Sequence, residues 1–291
     1  MNAARYTRDG GDGPPRLAFF LNLDTLNALP PSSAAPRGET SEVYAALKAA
    51  GFEGVQGGDP AAAHDQGLKY AAGGRVNAPG EVGEQARRWK DEGAVAATLH
   101  VGWGREDDAT LDAVSDDILE TSAALDLPLY PETHRATMIQ DTWRATRLAQ
   151  RRPGLRFNLD LSHWYTGLEM PYAGVDQTLD FVAPVLERVG FLHGRIGDGG
   201  AMQVCVGDTL GAALDRPNVR HFVEAWSRAF RSFRQQAAEG DYLVFAPELL
   251  EPSICYARTI PVPDGGRVEE CDRYRQSLLY LELARHAWDI A

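Results

Sequence analysis

The chain has 291 residues, 44% hydrophobic and 24% charged, the balance of a soluble globular protein long enough for one large or two small domains. Its formal net charge of −12 argues against a nucleic-acid partner, whose phosphates a binding surface must neutralise with lysine and arginine. No apolar run approaches the roughly 20 residues that cross a bilayer, so no membrane association is expected.

The first 15 residues, MNAARYTRDGGDGPP, lack the apolar core of a secretory signal and read as a flexible polar leader, leaving residues 16–291 as a single domain. From there one pattern recurs: a polar helix end, a Gly or Pro that stops it, then an apolar strand. Eight strands are expected within RLAFFLNLD (16–24), KAAGFEGVQ (48–56), KYAAGGRVN (69–77), DEGAVAATLH (91–100), LDLPLYPE (125–132), RRPGLRFNLD (151–160), ERVGFLHGRI (187–196) and AEGDYLVFAPE (238–248).

Helices are expected between them. The first, 39–50, takes Thr40 or Ser41 as its cap and sets Val43, Leu47 and Ala50 at helical spacing. Others cover 79–92, 107–125, 137–152, 175–189, 219–239 and 270–288, while 60–68 is short and weakly helical. Alternating strands and helices imply a parallel sheet, and eight of each imply a closed (β/α)8 TIM barrel; a doubly wound open sheet is the alternative. Three strand-to-helix links are long, 25–38, 199–217 and 250–269, and in a barrel all such links emerge on the face that carries the active site. Cys205, Cys255 and Cys271 are widely spaced with no C-x-x-C pair, as expected for reduced thiols in a cytoplasmic protein.

In RFNLDLSHW (156–164), Phe157, Leu159 and Leu161 alternate with Asn158, Asp160 and Ser162. If the apolar set packs on the helices, Asp160 points into the barrel near its mouth, where an ionised carboxylate is costly unless paired or bound to a metal. Matching groups end other strands: His100 on the fourth, Glu132 and His134 on the fifth, His193 and Arg195 with Asp198 beyond on the seventh, and Glu248 on the eighth, with Glu251 as its rival. Glu132, Asp160, His193 and Glu248 are 28, 33 and 55 residues apart, one β/α unit for each of the first two gaps and a unit plus a long loop for the third. Three carboxylates and an imidazole make an oxygen-rich site that favours Mn²⁺ or Mg²⁺ and admits Co²⁺, Zn²⁺ or Fe²⁺.

With these residues in place the sequence resembles the xylose isomerase-like TIM barrels of sugar phosphate isomerases and epimerases, over residues 16 to about 290. The motifs are Glu132-Thr-His134, Asp160-Leu-Ser-His163, His193 near Asp198, and Glu248. The resemblance implies one divalent metal ion held by Glu132, Asp160, His193 and Glu248, with Glu132 and Glu248 also moving a substrate proton next to a carbonyl. It further implies that His163 and Arg195 orient substrate oxygens, that His134 and His100 contact substrate or support the ligands, and that Trp103 and Trp164 stack on a sugar ring. At the position of Arg195 such proteins often carry Lys, and no second ligand set follows His193.

The implied activity is a metal-dependent isomerase or epimerase of a small sugar, polyol or keto-acid, in a chain open to homo-oligomerisation. Alternatives are dehydration of a cyclic polyol ketone, hydrolysis at abasic DNA sites, and a barrel that binds without catalysis. His100 and His163 would fit two ligands of a three-zinc nuclease, but no Asp-x-His pair follows His193.

Overall fold

The computed structural model describes residues 5–291, in which eight parallel strands form a nearly closed barrel. They are β1 (Arg16–Asn22), β2 (Gly54–Gln56), β3 (Lys69–Val76), β4 (Ala96–Val101), β5 (Leu129–Pro131), β6 (Phe157–Leu159), β7 (Val189–Gly194) and β8 (Asp241–Pro247). The ladder runs β5-β4-β3-β2-β1-β8-β7-β6, and its two ends meet through a parallel bridge between Glu132 and Asn158. The expected (β/α)8 barrel is therefore the fold, and the open sheet is not.

Side-chain alternation divides the core in two. Phe157, Leu159 and Leu192 belong to the large outer cluster between strands and helices, as expected for the apolar face of β6. Inside the barrel, Ala18, Phe20, Ala71, Ala96, Tyr130, Phe191, Tyr242, Val244 and Ala246 form a separate packed plug. Small residues on some strands make room for rings from others. A Cβ on Gly190 would come 2.4 Å from the Tyr130 ring, and one on Gly54 would come 2.6 Å from Phe20. Real Cβ contacts do not approach that closely, so glycine is required at both positions.

Several element boundaries differ from expectation for local reasons. The helix expected from 39 starts at Thr40, but its cap is Glu39, which forms a capping box with Glu42. The weak segment does form a helix, Pro60–Asp65, because Asp59 accepts the N–H groups of Ala61 and Ala62. The helix expected over 175–189 is split into Val175–Phe181 and Ala183–Leu186, with Pro184, which has no N–H, at the start of the second piece. Most consequential, β6 ends at Leu159, and Leu161–Gly167 is a helix capped by Asp160, not an extension of the strand.

The long loops are structured. Residues 199–217 bury Met202, Val204 and Val206 and include the short helix Leu210–Leu214. The segment after β8 carries a hairpin, Thr259–Pro261 paired antiparallel with Arg267–Glu269. The two loops join at a bridge between Gln203 and Ala257. At the opposite end of the barrel, Tyr6 is buried and Thr7–Arg8 pairs antiparallel with β8, within the segment expected as a leader; residues 1–4 of that segment lie outside the described residues. Among the described residues no helix is long and apolar enough to cross a membrane.

Candidate metal centre at the barrel mouth

Period-two alternation carries the inward face of each strand from plug to mouth. On β5 Tyr130 is followed by Glu132; on β7 Phe191 by His193 and Arg195; on β8 Ala246 by Glu248; on β1 Phe20 by Asn22. The Phe191 ring meets the His193 imidazole edge to face at 5.6 Å, so the apolar plug is the floor of the polar site. Glu132, Asp160, His193 and Glu248 each bring one donor atom into a group whose members all lie within 4.8 Å of one another. Glu251 is outside this group. The first three residues are buried, while Glu248 keeps 15% of its side chain exposed and faces the opening.

His193 is the hub. Its Nδ1 lies 3.3 Å from Glu132 Oε2 and 3.3 Å from Glu248 Oε2, and its Nε2 lies 2.8 Å from Gln56 Oε1. Because Gln56 donates its amide to Thr98 Oγ1 at 2.8 Å, its oxygen is the end offered to His193, which donates from Nε2 and turns Nδ1 to the carboxylates. Asn22 donates to Glu248 Oε1 at 2.9 Å, and Asn158 to Glu132 Oε2 at 2.9 Å. Asp160 uses Oδ1 to cap its helix, accepting from Ser162 N at 3.0 Å and Ser162 Oγ at 2.6 Å.

The electrostatics follow from crowding acids out of water. Burial raises the Asp160 carboxyl, which the Arg195 guanidinium only partly offsets, to about 6. Burial works against ionised Glu132 too, but His193 and His100 outweigh it and hold the acid well below the ordinary carboxylate range. Burial would keep His193 neutral; Glu248 and Glu132 overcome it and push the ring to about 9. Without a cation the cluster thus holds a proton on His193.

The donor set fits a divalent ion. Glu132 Oε1 and Asp160 Oδ2 are buried with no hydrogen-bond partner, a costly arrangement unless something positive completes it. Once His193 gives up its proton, three ionised carboxylates against one guanidinium leave the group two charges negative, the complement of a divalent cation. Glu132, Asp160, Glu248 and the Nδ1 of His193 could hold it, with Gln56 fixing the imidazole from behind.

Other residues singled out in the sequence take varied places. Arg195 is buried, donates from Nε to the Glu248 carbonyl at 2.9 Å, bonds the Glu248 carboxylate through Nη2 and lies 3.5 Å from Asp160 Oδ2. Nε and Nη2 are thus engaged by the Glu248 carbonyl and carboxylate, and Nη1 is the nitrogen left without a hydrogen-bond partner for the substrate-orienting role expected of Arg195. His163, one helical turn after Asp160, is buried with Nε2 3.5 Å from Asp160 Oδ2. Partly exposed His100 lies 3.5 Å from Glu132 Oε1. His134 lies between His100 and His163, tilted to both rings, with centroids 4.1 and 3.8 Å away. Burial keeps His134 neutral, its pKa pushed down to about 3; its Nδ1 meets the Arg135 carbonyl and its Nε2 the Tyr256 hydroxyl at 3.3 Å. His100, Glu132 and His134 form a second group with donor atoms within 4.8 Å.

The expectation for Trp164 is corrected. Because the helix begins at Leu161, the ring one residue past His163 turns into the outer core, fully buried, with its N–H donating to the Ile139 carbonyl at 3.2 Å; it cannot stack on a ligand. Trp103 is half exposed at the rim under the Arg75 guanidinium, 4.0 Å from its centroid. Asp198 accepts from the N–H groups of Gly200 and Ala201, each at 2.8 Å, and shapes its own loop. Sequence reasoning passed over Gln56, Asn158 and Thr98, whose amides and hydroxyl carry no charge to mark them. A cavity of about 310 Å³ opens over the cluster, lined by His100, Glu132, His193 and Glu248 with Gln56 and Asp24.

No protein-family model matches the chain, and no curated protein sequence matches it. Solved structures do. A xylose isomerase-like TIM barrel protein from Mycobacterium smegmatis, crystallised in complex with magnesium, is 11% identical, with 97% of this chain and 98% of that chain covered at a TM-score of 0.52. A probable 3-DHS dehydratase from Bacillus anthracis, involved in petrobactin synthesis, is 13% identical, with 80% of this chain and 92% of that chain covered at a TM-score of 0.52. The chain therefore has the fold of the xylose isomerase-like TIM barrels.

Proposed function

We propose that the protein is a metal-dependent isomerase or epimerase of a small sugar, polyol or keto-acid, acting by proton transfer at a carbon next to a carbonyl. The observation that carries this reading is the convergence of Glu132, Asp160, His193 and Glu248, from four different strand ends, to within 4.8 Å beneath a cavity of about 310 Å³. These residues would hold one divalent ion, Mn²⁺ or Mg²⁺ in the first instance. When bound, the ion supplies Lewis-acid polarisation of a substrate carbonyl.

The chain's own groups supply the rest. Glu132 and Glu248 both line the cavity and both contact the His193 Nδ1 edge, so a substrate over the cluster sits between two carboxylates, one to take the proton and one to return it. Arg195 fixes the Glu248 carboxylate and keeps Nη1 for a substrate oxygen. His163 and His134 are held neutral by burial, so each can take or give a hydrogen bond without adding charge.

A second reading, dehydration of a cyclic polyol ketone, is favoured by the contact between neutral His134 and the Tyr256 hydroxyl at 3.3 Å, which provides a proton route for a departing hydroxyl, and by the name of the Bacillus anthracis protein. Both readings begin with the same proton abstraction. Incubating the Mn²⁺-loaded protein with a panel of ketoses and cyclic hydroxy-ketones in D₂O separates them. Exchange of a substrate C–H with carbon skeleton and oxygens retained supports the isomerase, and appearance of a conjugated enone supports the dehydratase. Absence of both across the panel, with the ion bound, overturns both.

A further inference from the structure

We propose that Cys205 and Cys271 are a modification site, a dithiol that hydrogen peroxide closes to a disulfide joining the two long loops over the barrel mouth. Cys205 lies in the loop after β7, and Cys271 ends the segment after β8, just before the helix Arg273–Asp289. Both side chains line one small cavity with Gln203, Ala257, Arg258 and Glu270, close enough for each thiol to act on the titration of the other.

The backbones on either side are already held in register. Gln203 N donates to the Tyr256 carbonyl at 3.1 Å and Arg258 N to the Gln203 carbonyl at 2.9 Å. Cys205 N donates to Glu270 Oε2 at 3.1 Å, and Val206 N to Gln276 Oε1 at 2.9 Å. Two thiols lining one cavity between backbones tied this closely are placed to bond with a local adjustment of the chain. Cys255 is exposed, and its thiol points to the Ser253 carbonyl in its own turn.

The two thiols are unequal. The Cys271 hydrogen bond, the Gly207 N–H and the Arg216 charge all favour the Cys205 thiolate, whereas Cys271 keeps its proton. The Cys205 thiolate attacks one peroxide oxygen, the O–O bond breaks, and the leaving hydroxide takes up a proton as water. The resulting Cys205 sulfenic acid is attacked by the Cys271 sulfur, the S–O bond breaks, and the expelled hydroxyl leaves as a second water with the Cys271 proton. Two thiols are oxidised by two electrons, and one peroxide is reduced to two waters.

The consequence reaches the site. The β8 segment between these anchors carries Tyr256, whose hydroxyl meets His134 and whose ring lies 4.9 Å from the Arg195 guanidinium and 5.6 Å from the His163 ring. A bond at Cys271 fixes this roof at its far end.

The test uses the full chain, treated with sub-stoichiometric to equimolar hydrogen peroxide and read by intact mass and peptide mapping. The expected result is loss of two hydrogens, a cross-linked peptide pair containing Cys205 and Cys271 that dithiothreitol releases, and unmodified Cys255. In Cys271→Ser, dimedone should trap a sulfenic acid at Cys205, and amide hydrogen exchange across 250–270 should slow on oxidation in the wild type but not in this variant. Formation of Cys205 sulfinic acid without a cross-link in the wild type, or a cross-link through Cys255, would overturn the proposal. None of these readouts depends on catalytic activity.

Discussion

Gln56 and His193 come from strands on opposite sides of β1 and β8, and they meet at 2.8 Å between the amide oxygen and Nε2. That contact fixes Nδ1 as the nitrogen that faces the carboxylates, where it carries a proton in the ion-free cluster and offers a lone pair once that proton leaves.

Gln56→Ala is therefore expected to weaken divalent-ion binding by about 10- to 100-fold, the usual effect of removing a group that orients a metal-ligating histidine. Gln56→Glu keeps an acceptor and should restore most of the affinity. Titration calorimetry with Mn²⁺ reads both, and unchanged affinity in Gln56→Ala would remove His193 Nδ1 from the ligand set.

Glu248→Gln retains the size of the side chain and its contact with Asn22 while removing a base. Substrate proton exchange should fall by roughly 10²- to 10⁴-fold, with the far-UV circular dichroism of the folded barrel intact. Retained exchange would move the role to another carboxylate, Glu251 being the nearest in sequence.

With His193 as a ligand in the proposed metal site, protonation and ion binding would compete at this ring. Its pKa is about 9 in the folded chain against an ordinary 6.5, so the stability it contributes is present in full below pH 6.5 and is lost as pH rises through 9. The melting temperature of the metal-free protein should decline over that window, and saturating Mn²⁺ should flatten the decline. The apparent affinity for Mn²⁺ should rise about tenfold per pH unit between pH 7 and 9, with about one proton released per ion. Calorimetry in buffers of different ionisation enthalpy counts that proton; no release would mean that His193 is neutral before the ion arrives.

Trp164→Phe tests the placement of the indole in the outer core. Losing the bond to the Ile139 carbonyl should cost about 1–2 kcal/mol of stability in denaturant titration, while KM stays unchanged. A raised KM with unchanged stability would return Trp164 to the ligand cavity.

The barrel was legible because eight apolar runs, each stopped by Gly or Pro, are separated by segments of helical spacing. The meeting of Glu132, Asp160, His193 and Glu248 at one mouth was legible because titratable residues recur at the ends of successive strands. What stayed hidden has physical causes. Gln56, Asn158 and Thr98 are uncharged, and nothing local separates an amide that orients a ligand from one that caps a turn. Trp164 was misplaced because RFNLDLSHW alternates through Ser162, whereas Asp160 accepts the Ser162 N–H and starts a helix there; the step per residue changes from about 180° to 100°, which turns the indole away. The engagement of Arg195 with Glu248 depends on β7 and β8 lying side by side, which no single strand records.

β3 and β4 pair along six residues, from Ala71 with Ala96 to Val76 with Val101, whereas β5 and β6 share one bridge, between Glu132 and Asn158, reinforced by the Asn158 amide on the Glu132 carboxylate. The thinnest seam of the cylinder thus runs through the cluster itself, and a cation gripped by Glu132 and Asp160 would rivet that seam from within. Loading the protein would tighten the hoop as well as arm it.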